Sequence, residues 1–445
     1  MASDLLSIGK SGAVAARVAL DVTAQNITNA STDGYIRRSV LLREVAASGG
    51  IGRVGDVSLS GVTLDRVVRN ADMFRQSEVR RTGADAARAN AEVSGLQNIE
   101  DALDQSGVYD AIVGFEGALQ QLASDPTDAS LRASVVELAR TMTRTLNIAA
   151  SSLEQVGEGL RFEAADGVGQ IDLLATELAR VNLRLARAAD ASSDQTMLLD
   201  QRDHLLEQLS RYVDVTTTFA ADDTVAVRIG GASGPVLVNG GTAGNFAMTT
   251  AADGTISFTL DGNPATPQGG SLAGKALALA KLKDVQDGLD AVANSVIGAI
   301  NAAQTGGVAL DGSAGQAMFS GTTAADIALA FDDGGMIATA PAGAAADSRD
   351  QTNLGAMRAA LATADPAGKA DSLIFEISSA VQGRTVTRDA LDSIANTAKI
   401  TLSAQAGVSL DNEAANLLRF QQAFQASGRI MQVANEIFDS ILQIR

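Results

Sequence analysis

Cysteine and tryptophan are absent from the 445-residue chain, histidine occurs once, and aromatic residues make up only 3% of the sequence. The absence of cysteine excludes disulfides, thiolate zinc sites and cysteine nucleophiles, and a single histidine cannot form a histidine-rich metal site. So few aromatic rings leave little surface on which a nucleotide or a sugar could stack. These absences exclude many catalytic mechanisms, and we expect no bound metal and no cofactor.

Basic residues are outnumbered, with 34 lysines and arginines against 52 acidic residues and a net charge of −18. Nucleic acids and anionic membranes bind basic surfaces, so neither is an expected partner. Residues 1–29 contain no unbroken apolar stretch of the kind found in secretory signals. The most apolar long segment, 276–300, includes five charged residues, which argues against a membrane span. We expect no membrane insertion and no cleaved signal peptide.

Hydrophobic residues recur with helical spacing over most of the chain, and the length favours several domains. The helices predicted from this spacing cover 70–105, 108–122, 128–164, 166–191, 195–212, 271–304 and 367–407. Alternating apolar and polar residues in 225–229, 235–238 and 256–260 predict short strands. Segment 306–350 is rich in Ala, Gly, Ser and Asp, so we expect a loop with little buried core there.

Both ends of the chain carry long amphipathic patterns with apolar residues three and four positions apart. The C-terminal pattern contains large apolar residues, namely Leu410, Leu417, Phe420, Phe424, Met431, Ala434, Phe438 and Ile441. The N-terminal pattern contains smaller ones, namely Leu5, Ile8, Gly12, Ala15, Ala19 and Val22, with a second row that includes Leu20 and Ile27. Such helices could pack closely along their length, as in a coiled coil.

Two interpretations of these end helices remain open. They could pair within one chain and simply cover their own domain, as most amphipathic helices do. Alternatively, the apolar rows are too broad for one antiparallel partner, and the uncovered part is a surface for self-assembly. The breadth of the rows favours self-assembly.

A distinctive motif follows the N-terminal helix, where residues 24–35 read AQNITNASTDGY. Asn29 is expected to end the helix, because its side chain competes for backbone hydrogen bonds. Gly34 allows a positive φ before Tyr35 docks. Alternating residues after Tyr35, and again at Val57, Leu59, Val62 and Leu64, predict two strands. Asn26, Asn29, Gly34 and Tyr35 are the candidate functional residues of this junction.

Residues 24–35 resemble the N-terminal signature of bacterial flagellar axial proteins, approximately A-N-N-I-(S/A)-N-x-x-T-x-G-Y. Residues 409–422 and 434–442 are similar to the family's opening V-N-L-D-E-E-x-x-N-L-x-R-x-Q and closing A-N-x-(I/L)-F-D-x-L. Segment 198–209 resembles the L-L-D-Q-R-D-x-L-x-x-x-L helix of the hook-associated protein 1 (FlgK) family. The residues that carry this last likeness are Leu199, Asp200, Gln201, Arg202 and Asp203. Rod and hook proteins share the terminal motifs but lack the central one.

The pattern and the resemblance together predict a mainly α fold with a small β insertion. The resemblance implies terminal helices in a coiled coil, an elongated multi-domain helical body and an outward β domain. Residues 1–68 and 406–445 would form the terminal coiled coil, which is the inner tube. The helical middle domain would comprise 69–214, 271–305 and 350–405, the β-rich outer insertion 215–270, and a Gly/Ala-rich loop 306–349.

The resemblance also implies a structural, non-enzymatic subunit at the hook–filament junction of the bacterial flagellum. Such a subunit is extracellular and leaves the cell by type III export. Its expected partners are further copies of the chain in a ring or tube, the flagellar hook protein, the second junction protein and a cytosolic export chaperone. Two alternatives are another axial protein of the hook or distal rod, and a flagellum-associated enzyme that remodels peptidoglycan.

Two local patterns resemble catalytic or binding motifs and are rejected. Gly9-Lys10-Ser11 lies within the N-terminal amphipathic pattern, and Asp4 occupies the position where a phosphate-binding loop needs its first glycine. His204 lies near two aspartates, yet no hydroxyl or thiol nucleophile is tied to it by sequence. For the helix that carries His204 we expect a solvated face with local charge pairs.

Overall fold

The computed structural model describes residues 2–32, 34–45, 61–189 and 193–443. Helices dominate this part of the chain and the strands are short, which confirms a mainly α protein with small β elements. The helices are α1 (Ala2–Thr28), α2 (Met73–Asp104), α3 (Val108–Leu122), α4 (Ala129–Leu185), α5 (Ser193–Tyr212), α6 (Ser271–Thr305), α7 (Thr352–Ala364), α8 (Pro366–Ala406) and α9 (Leu410–Gln443).

The strands form small antiparallel sheets. They are β1 (Arg38–Glu44), β2 (Val62–Arg69), β3 (Val215–Phe219), β4 (Val225–Ile229), β5 (Val236–Asn239), β6 (Thr242–Ala243), β7 (Phe246–Thr250), β8 (Ile256–Leu260), β9 (Asn263–Ala265), β10 (Gly307–Val308), β11 (Phe319–Ser320), β12 (Ala328–Leu329) and β13 (Ala340–Pro341). The sheets have the orders β1-β2, β3-β4-β5-β6, β7-β8-β9, β10-β13 and β11-β12. The predicted strand residues Val57 and Leu59 lie outside the described part.

The helical spacing located most of the helices, but it missed α7 and divided α4. The segments 128–164 and 166–191 were predicted as two helices, but a single helix, α4, covers Ala129–Leu185. Glycines at 167 and 169 do not interrupt it, because the buried stripe continues across them from Ala164 to Ile171, Ala175 and Leu178. A continuous apolar stripe therefore outweighs the low helix propensity of two glycines.

The chain divides into two compact units, of which the first comprises Met1–Gly83, Asp172–Asn245 and Ser393–Arg445. In this unit α1 packs against α9, and the β1–β2 hairpin packs on α1, where Val62 N donates to Ser11 Oγ at 3.2 Å. The four-stranded sheet buries alternate residues of β4. Asn182 of α4 fastens that sheet, since its Nδ2 donates to Val225 O at 2.8 Å and its Oδ1 accepts from Val225 N at 3.0 Å.

The second unit comprises Ala84–Ile171 and Phe246–Asp392. Its core brings together apolar residues of α2, α3, α4, α6, α7 and the first half of α8. Phe115 of α3 packs edge to face on Phe319 of β11, with ring centroids 5.8 Å apart. Helix packing is close where Gly95 of α2 faces α6, because a Cβ at this position would lie 2.5 Å from Ala278 Cβ.

Segment 306–350 belongs to this core, so the expectation of a loop with little buried core is wrong. Met318, Ile327 and Ile337 are almost completely buried. Side chains of the surrounding helices hold the segment by hydrogen bonds to its backbone. Asn301 Oδ1 accepts from Met318 N at 2.9 Å, and Arg132 Nη1 donates to Ile337 O at 2.9 Å. The segment thus gains order from partners that local sequence patterns cannot reveal.

Candidate assembly site

The turn that follows α1 has the geometry predicted from the sequence. The helix ends at Thr28, and Asn29 Nδ2 donates to Gln25 O at 2.9 Å. Gly34 has a φ of 75°, which is the left-handed region that glycine adopts easily. Tyr35 then turns back onto the helix, and its hydroxyl donates to Asn26 Oδ1 at 2.9 Å. The motif is therefore a compact junction between α1 and the hairpin.

Asn26 is the centre of the junction and is almost completely buried. Its Oδ1 also accepts from Arg38 N at 3.0 Å, and its Nδ2 donates to Arg38 O at 2.9 Å. The second Nδ2 bond runs to Glu413 Oε2 of α9 at 3.1 Å. All the hydrogen-bonding capacity of the amide is used, as the burial of a polar group requires.

The aspartates of the central family helix lie in a buried charge cluster with the hairpin. Arg38 and Arg69 are cross-strand partners at the open end of the β1–β2 hairpin. Arg38 Nη2 donates to Asp200 Oδ2 at 3.0 Å and Arg69 Nε donates to Asp200 Oδ1 at 2.8 Å. Arg69 Nη2 reaches Asp203 Oδ2 at 2.8 Å, and Arg202 Nη2 donates to Asp203 Oδ1 at 2.7 Å. The predicted solvated face is wrong, because the hairpin covers it with two arginines.

Burial and neighbouring charges shift the two carboxyls of this cluster in opposite directions. Burial disfavours the charged form of Asp203, but Arg202 and Arg69 outweigh that effect and lower its pKa below the ordinary value. Burial raises the pKa of Asp200, and Arg69 and Arg38 only reduce that shift. The pKa of the Tyr35 hydroxyl is also raised, chiefly by burial. The cluster thus favours a negative charge at Asp203 more than at Asp200.

The other predicted residues of α5 are Leu199 and Gln201, and His204 lies on the same helix. Leu199 is half-buried, and Gln201 Nε2 donates to Glu177 Oε1 at 3.2 Å. His204 packs against the junction turn, since a Cβ on Gly34 would lie 3.1 Å from His204 Nδ1. Its Nε2 lies 3.0 Å from Gln208 Nε2. These contacts place the histidine in the packing of the junction and not in a catalytic arrangement.

The two terminal helices pack antiparallel, with small residues of α1 against α9. A Cβ on Gly9 would lie 2.8 Å from Met431 Cγ, and one on Gly12 would lie 2.7 Å from Ser427 Oγ. With the bond from Asn26 to Glu413, these contacts fix the direction and the register of the pair. The predicted small residues Ala15, Ala19 and Val22 are buried, Ile8, Leu20 and Ile27 are half-buried, and Leu5 is exposed.

The predicted apolar residues of α9 are only partly covered by α1. Ala434 is buried, and Leu417, Phe420 and Met431 are half-buried, whereas Leu410, Phe424 and Phe438 are exposed. The side chain of Ile441 lies outside the described part. Four further large apolar residues of α9 are also exposed. Together the seven form what we call the exposed apolar surface of α9: Leu410, Leu418, Phe424, Ile430, Val433, Ile437 and Phe438.

Sequence reasoning missed Arg38, Arg69 and Glu413. A signal was present for the arginines, because Asp200 and Asp203 are one helical turn apart and would need cations if they were buried. Glu413 lies within the C-terminal motif, but nothing near it in sequence indicates its partners, which are 376 and 387 residues away along the chain.

The described residues also bear on metal sites and on membrane spans. No group of three or more His, Asp or Glu side chains there could hold a metal ion. Among the helices of the described part, none combines the length and the apolar character needed to cross a bilayer.

Comparisons with known proteins match the ends and the middle of the chain separately. A sequence model of the flagellar hook-associated protein FlgK helical domain matches residues 94–319, which is half of the chain. A model of the flagellar basal body rod FlgEFG protein C-terminal region matches 403–444, and one of flagella basal body rod proteins matches 6–35. The central motif thus lies within the first match, and the N- and C-terminal motifs lie within the two rod-protein matches.

Similar proteins include flagellar hook-associated protein 1 of Bacillus subtilis, which is 26% identical over 96% of this chain and 95% of its own length. The protein of the same name from Escherichia coli K12 is 24% identical over the whole of both chains. A solved structure of the flagellar hook junction protein FlgK from Burkholderia pseudomallei aligns with 55% of this chain and 46% of its own, at 23% identity and a TM-score of 0.49. Because the FlgK helical-domain model matches half of its length, the chain belongs to the flagellar hook-associated protein FlgK family.

Proposed function

We propose that the chain is a structural subunit at the hook–filament junction of the bacterial flagellum, and that it assembles with further copies of itself through α1 and α9. The observation that carries this proposal is the exposed apolar surface of α9, where Phe424 and Phe438 are 44% and 55% exposed although α1 is packed on the helix. So many large apolar side chains exposed on one helix usually mark an interaction site. Its residues occupy several faces of the helix, so more than one neighbour would cover them.

The proposed surroundings of the subunit follow from the family. The relatives are named for their association with the hook, and both ends of the chain match models of rod proteins. We propose that α1 and α9 form the coiled-coil inner tube and that the subunit contacts the flagellar hook protein and the second junction protein. Export would use the flagellar type III apparatus and a cytosolic chaperone. The role requires no catalysis.

Replacing Phe424 or Phe438 by Asp tests the proposal in a flagellated strain that has only the variant protein. Both side chains are exposed in the single chain, so the melting temperature of the purified protein should stay unchanged. A charge on a surface that neighbours bury is costly, so the variant subunit should be missing from purified flagella.

Two substitutions on the same helix serve as controls. Gln422→Asp places the same charge on an exposed polar position, and this variant should assemble. Ala434→Asp places it in the buried contact with α1, and this variant should melt at a lower temperature. Normal assembly of the Phe424→Asp and Phe438→Asp variants would refute the proposal.

A hook or distal-rod component is the second candidate, and the rod-protein matches at both ends favour it. The two candidates differ in where the subunit lies in the flagellum. Immunogold labelling of isolated hook–basal bodies should mark the distal end of the hook if the junction proposal is right. Label along the hook or on the rod would support the second candidate.

A further inference from the structure

Asn239 is the only asparagine of the chain that is followed directly by a glycine. It lies at the tip of the hairpin formed by β5 and β6, where Asn239 and Thr242 are cross-strand partners and Gly240 and Gly241 form the loop. Gly240 has a φ of 52°, which is the left-handed region that glycine adopts easily. The loop therefore places no bulky side chain directly after the asparagine.

The side chain of Asn239 is exposed, and its carboxamide makes no hydrogen bond within the described part of the chain. Only the backbone around it is held, since Thr242 Oγ1 donates to Asn239 O at 2.8 Å and Asn182 Nδ2 donates to Gly240 O at 2.9 Å. Among the described residues, the N–H of Gly240 donates to no acceptor. A Cβ on Gly240 would meet no heavy atom within 4 Å apart from its chain neighbours. The carboxamide and the next backbone nitrogen thus share an open space.

Asparagines elsewhere in the chain lack this combination. Asn182 and Asn353 are buried and hydrogen-bonded. Asn245 and Asn263 are exposed, but a phenylalanine follows Asn245, and the nitrogen of Pro264 after Asn263 carries no hydrogen. The sequence and the fold together distinguish Asn239 from every other asparagine described.

We propose that Asn239 is a site of spontaneous deamidation, which needs no enzyme. The Gly240 nitrogen loses its proton to hydroxide and attacks Cγ of Asn239, and the carboxamide nitrogen takes up a proton and leaves as ammonia. The new C–N bond closes a five-membered succinimide ring. Water then opens the ring at either carbonyl carbon, so that position 239 becomes aspartate or isoaspartate. The sum is one amide and one water converted to one carboxylic acid and one ammonia, without oxidation or reduction.

Both products add a negative charge at neutral pH, and isoaspartate also changes the hairpin. The main chain of isoaspartate runs through the former side chain and is longer by one methylene group. The carbonyl group of Gly240 is thereby displaced, and Asn182 loses it as an acceptor. Asn182 keeps its two hydrogen bonds to Val225, so β4 stays fastened while the pairing of β6 with β5 loosens.

Ageing of the folded, full-length chain at mildly alkaline pH tests the proposal. Trypsin releases residues 229–275 as one peptide, which contains Asn239, Asn245 and Asn263 together. Tandem mass spectrometry locates the small gain in mass that accompanies the exchange of the amide for an acid. We expect this gain at Asn239, with the other two asparagines unchanged as internal controls. Isoaspartyl methyltransferase labels the isoaspartate product.

Gly240→Ala is the matched variant, because it keeps the asparagine and adds only a methyl group in open space. The methyl group hinders the approach of the nitrogen to Cγ, so deamidation should be slower by about tenfold, which corresponds to about 1.4 kcal/mol in activation free energy. The control Gly262→Ala adds the same group to a left-handed glycine in the hairpin of β8 and β9. It should leave the rate at Asn239 unchanged.

Two outcomes would overturn the proposal. Deamidation in the urea-unfolded chain but not in the folded chain would mean that the hairpin holds Asn239 away from the Gly240 nitrogen. Equal deamidation of Asn239 and Asn245 would mean that the glycine and the open loop have no effect.

Hydrogen exchange measures the consequence for the hairpin. The N–H of Gly244 donates to Leu237 O at 2.7 Å across β5 and β6, and it should exchange faster in the aged chain than in the fresh one. Unchanged exchange in a chain that contains isoaspartate would refute the proposed loosening. None of these outcomes bears on assembly through α9.

Discussion

Asp203→Asn should destabilise the first unit more than any other single loss of charge in the cluster around the junction. The carboxylate accepts four hydrogen bonds from three side chains: one each from Arg69 and Gln76 on Oδ2, and two from Arg202 on Oδ1. An asparagine has one acceptor oxygen, so its NH₂ group must face donors on one side. Two arginines would then remain buried beside a neutral side chain.

The expected cost is about 3–5 kcal/mol, the usual result of removing one partner from a buried ion pair. Asp200→Asn is the matched comparison, because it lies one helical turn away and contacts Arg38 and Arg69. Burial already disfavours the charge of Asp200 and raises its pKa. Neutralising Asp200 should therefore cost less, about 1–2 kcal/mol.

Urea unfolding followed by tyrosine fluorescence measures the two costs. The chain has three tyrosines and no tryptophan, and a Tyr109→Phe background leaves Tyr35 and Tyr212, which both lie in the first unit. The midpoint for Asp203→Asn should fall by about 1–2 M urea, and that for Asp200→Asn by less. An equal or smaller loss for Asp203→Asn would refute the charge balance inferred for the cluster.

Three further predictions concern pH and the second unit. The pKa of Asp203 is lower in the folded than in the unfolded chain. The stabilising contribution of its charge is therefore complete above about pH 4 and is lost as the pH falls through the folded pKa. Acid unfolding should consequently be less steep in Asp203→Asn than in the unchanged protein. Arg132→Met leaves carbonyls such as that of Ile337 without their donor and should lower the stability of the second unit by about 3 kcal/mol, with faster proteolysis at 334–339. Gly95→Ala should destabilise the second unit by about 1–3 kcal/mol, because the new methyl group would overlap with Ala278. Gly117 has open space around it, so Gly117→Ala should stabilise the unit by up to about 1 kcal/mol in the same urea titration.

Regular periodicity made much of the fold predictable from the sequence. Apolar residues at helical spacing located α2, α3 and α6 to within a few residues, and strict alternation located β4 and β8. The junction was predictable too, because Asn29, Gly34 and Tyr35 act through local backbone geometry. In each of these cases the physical cause lies within a few residues of the effect.

The rest depends on contacts between distant parts of the chain. Segment 306–350 has no periodic pattern, and the residues that it buries, such as Met318 and Ile337, occur singly among small polar ones. Its order comes from hydrogen bonds with side chains of other helices. The charge cluster likewise joins Arg69 to Asp200 across 131 positions, so the acids of α5 looked like a solvated face when considered alone.

The central claim is that neighbouring subunits bury the exposed apolar surface of α9 in the flagellum. Maleimide labelling of a Val433→Cys chain tests it directly, because the side chain is 50% exposed in the single chain and no other cysteine is present. We predict ready labelling of the purified subunit and of acid-dissociated flagella, but strong protection in intact flagella. Equal labelling rates in intact and dissociated flagella would contradict the account.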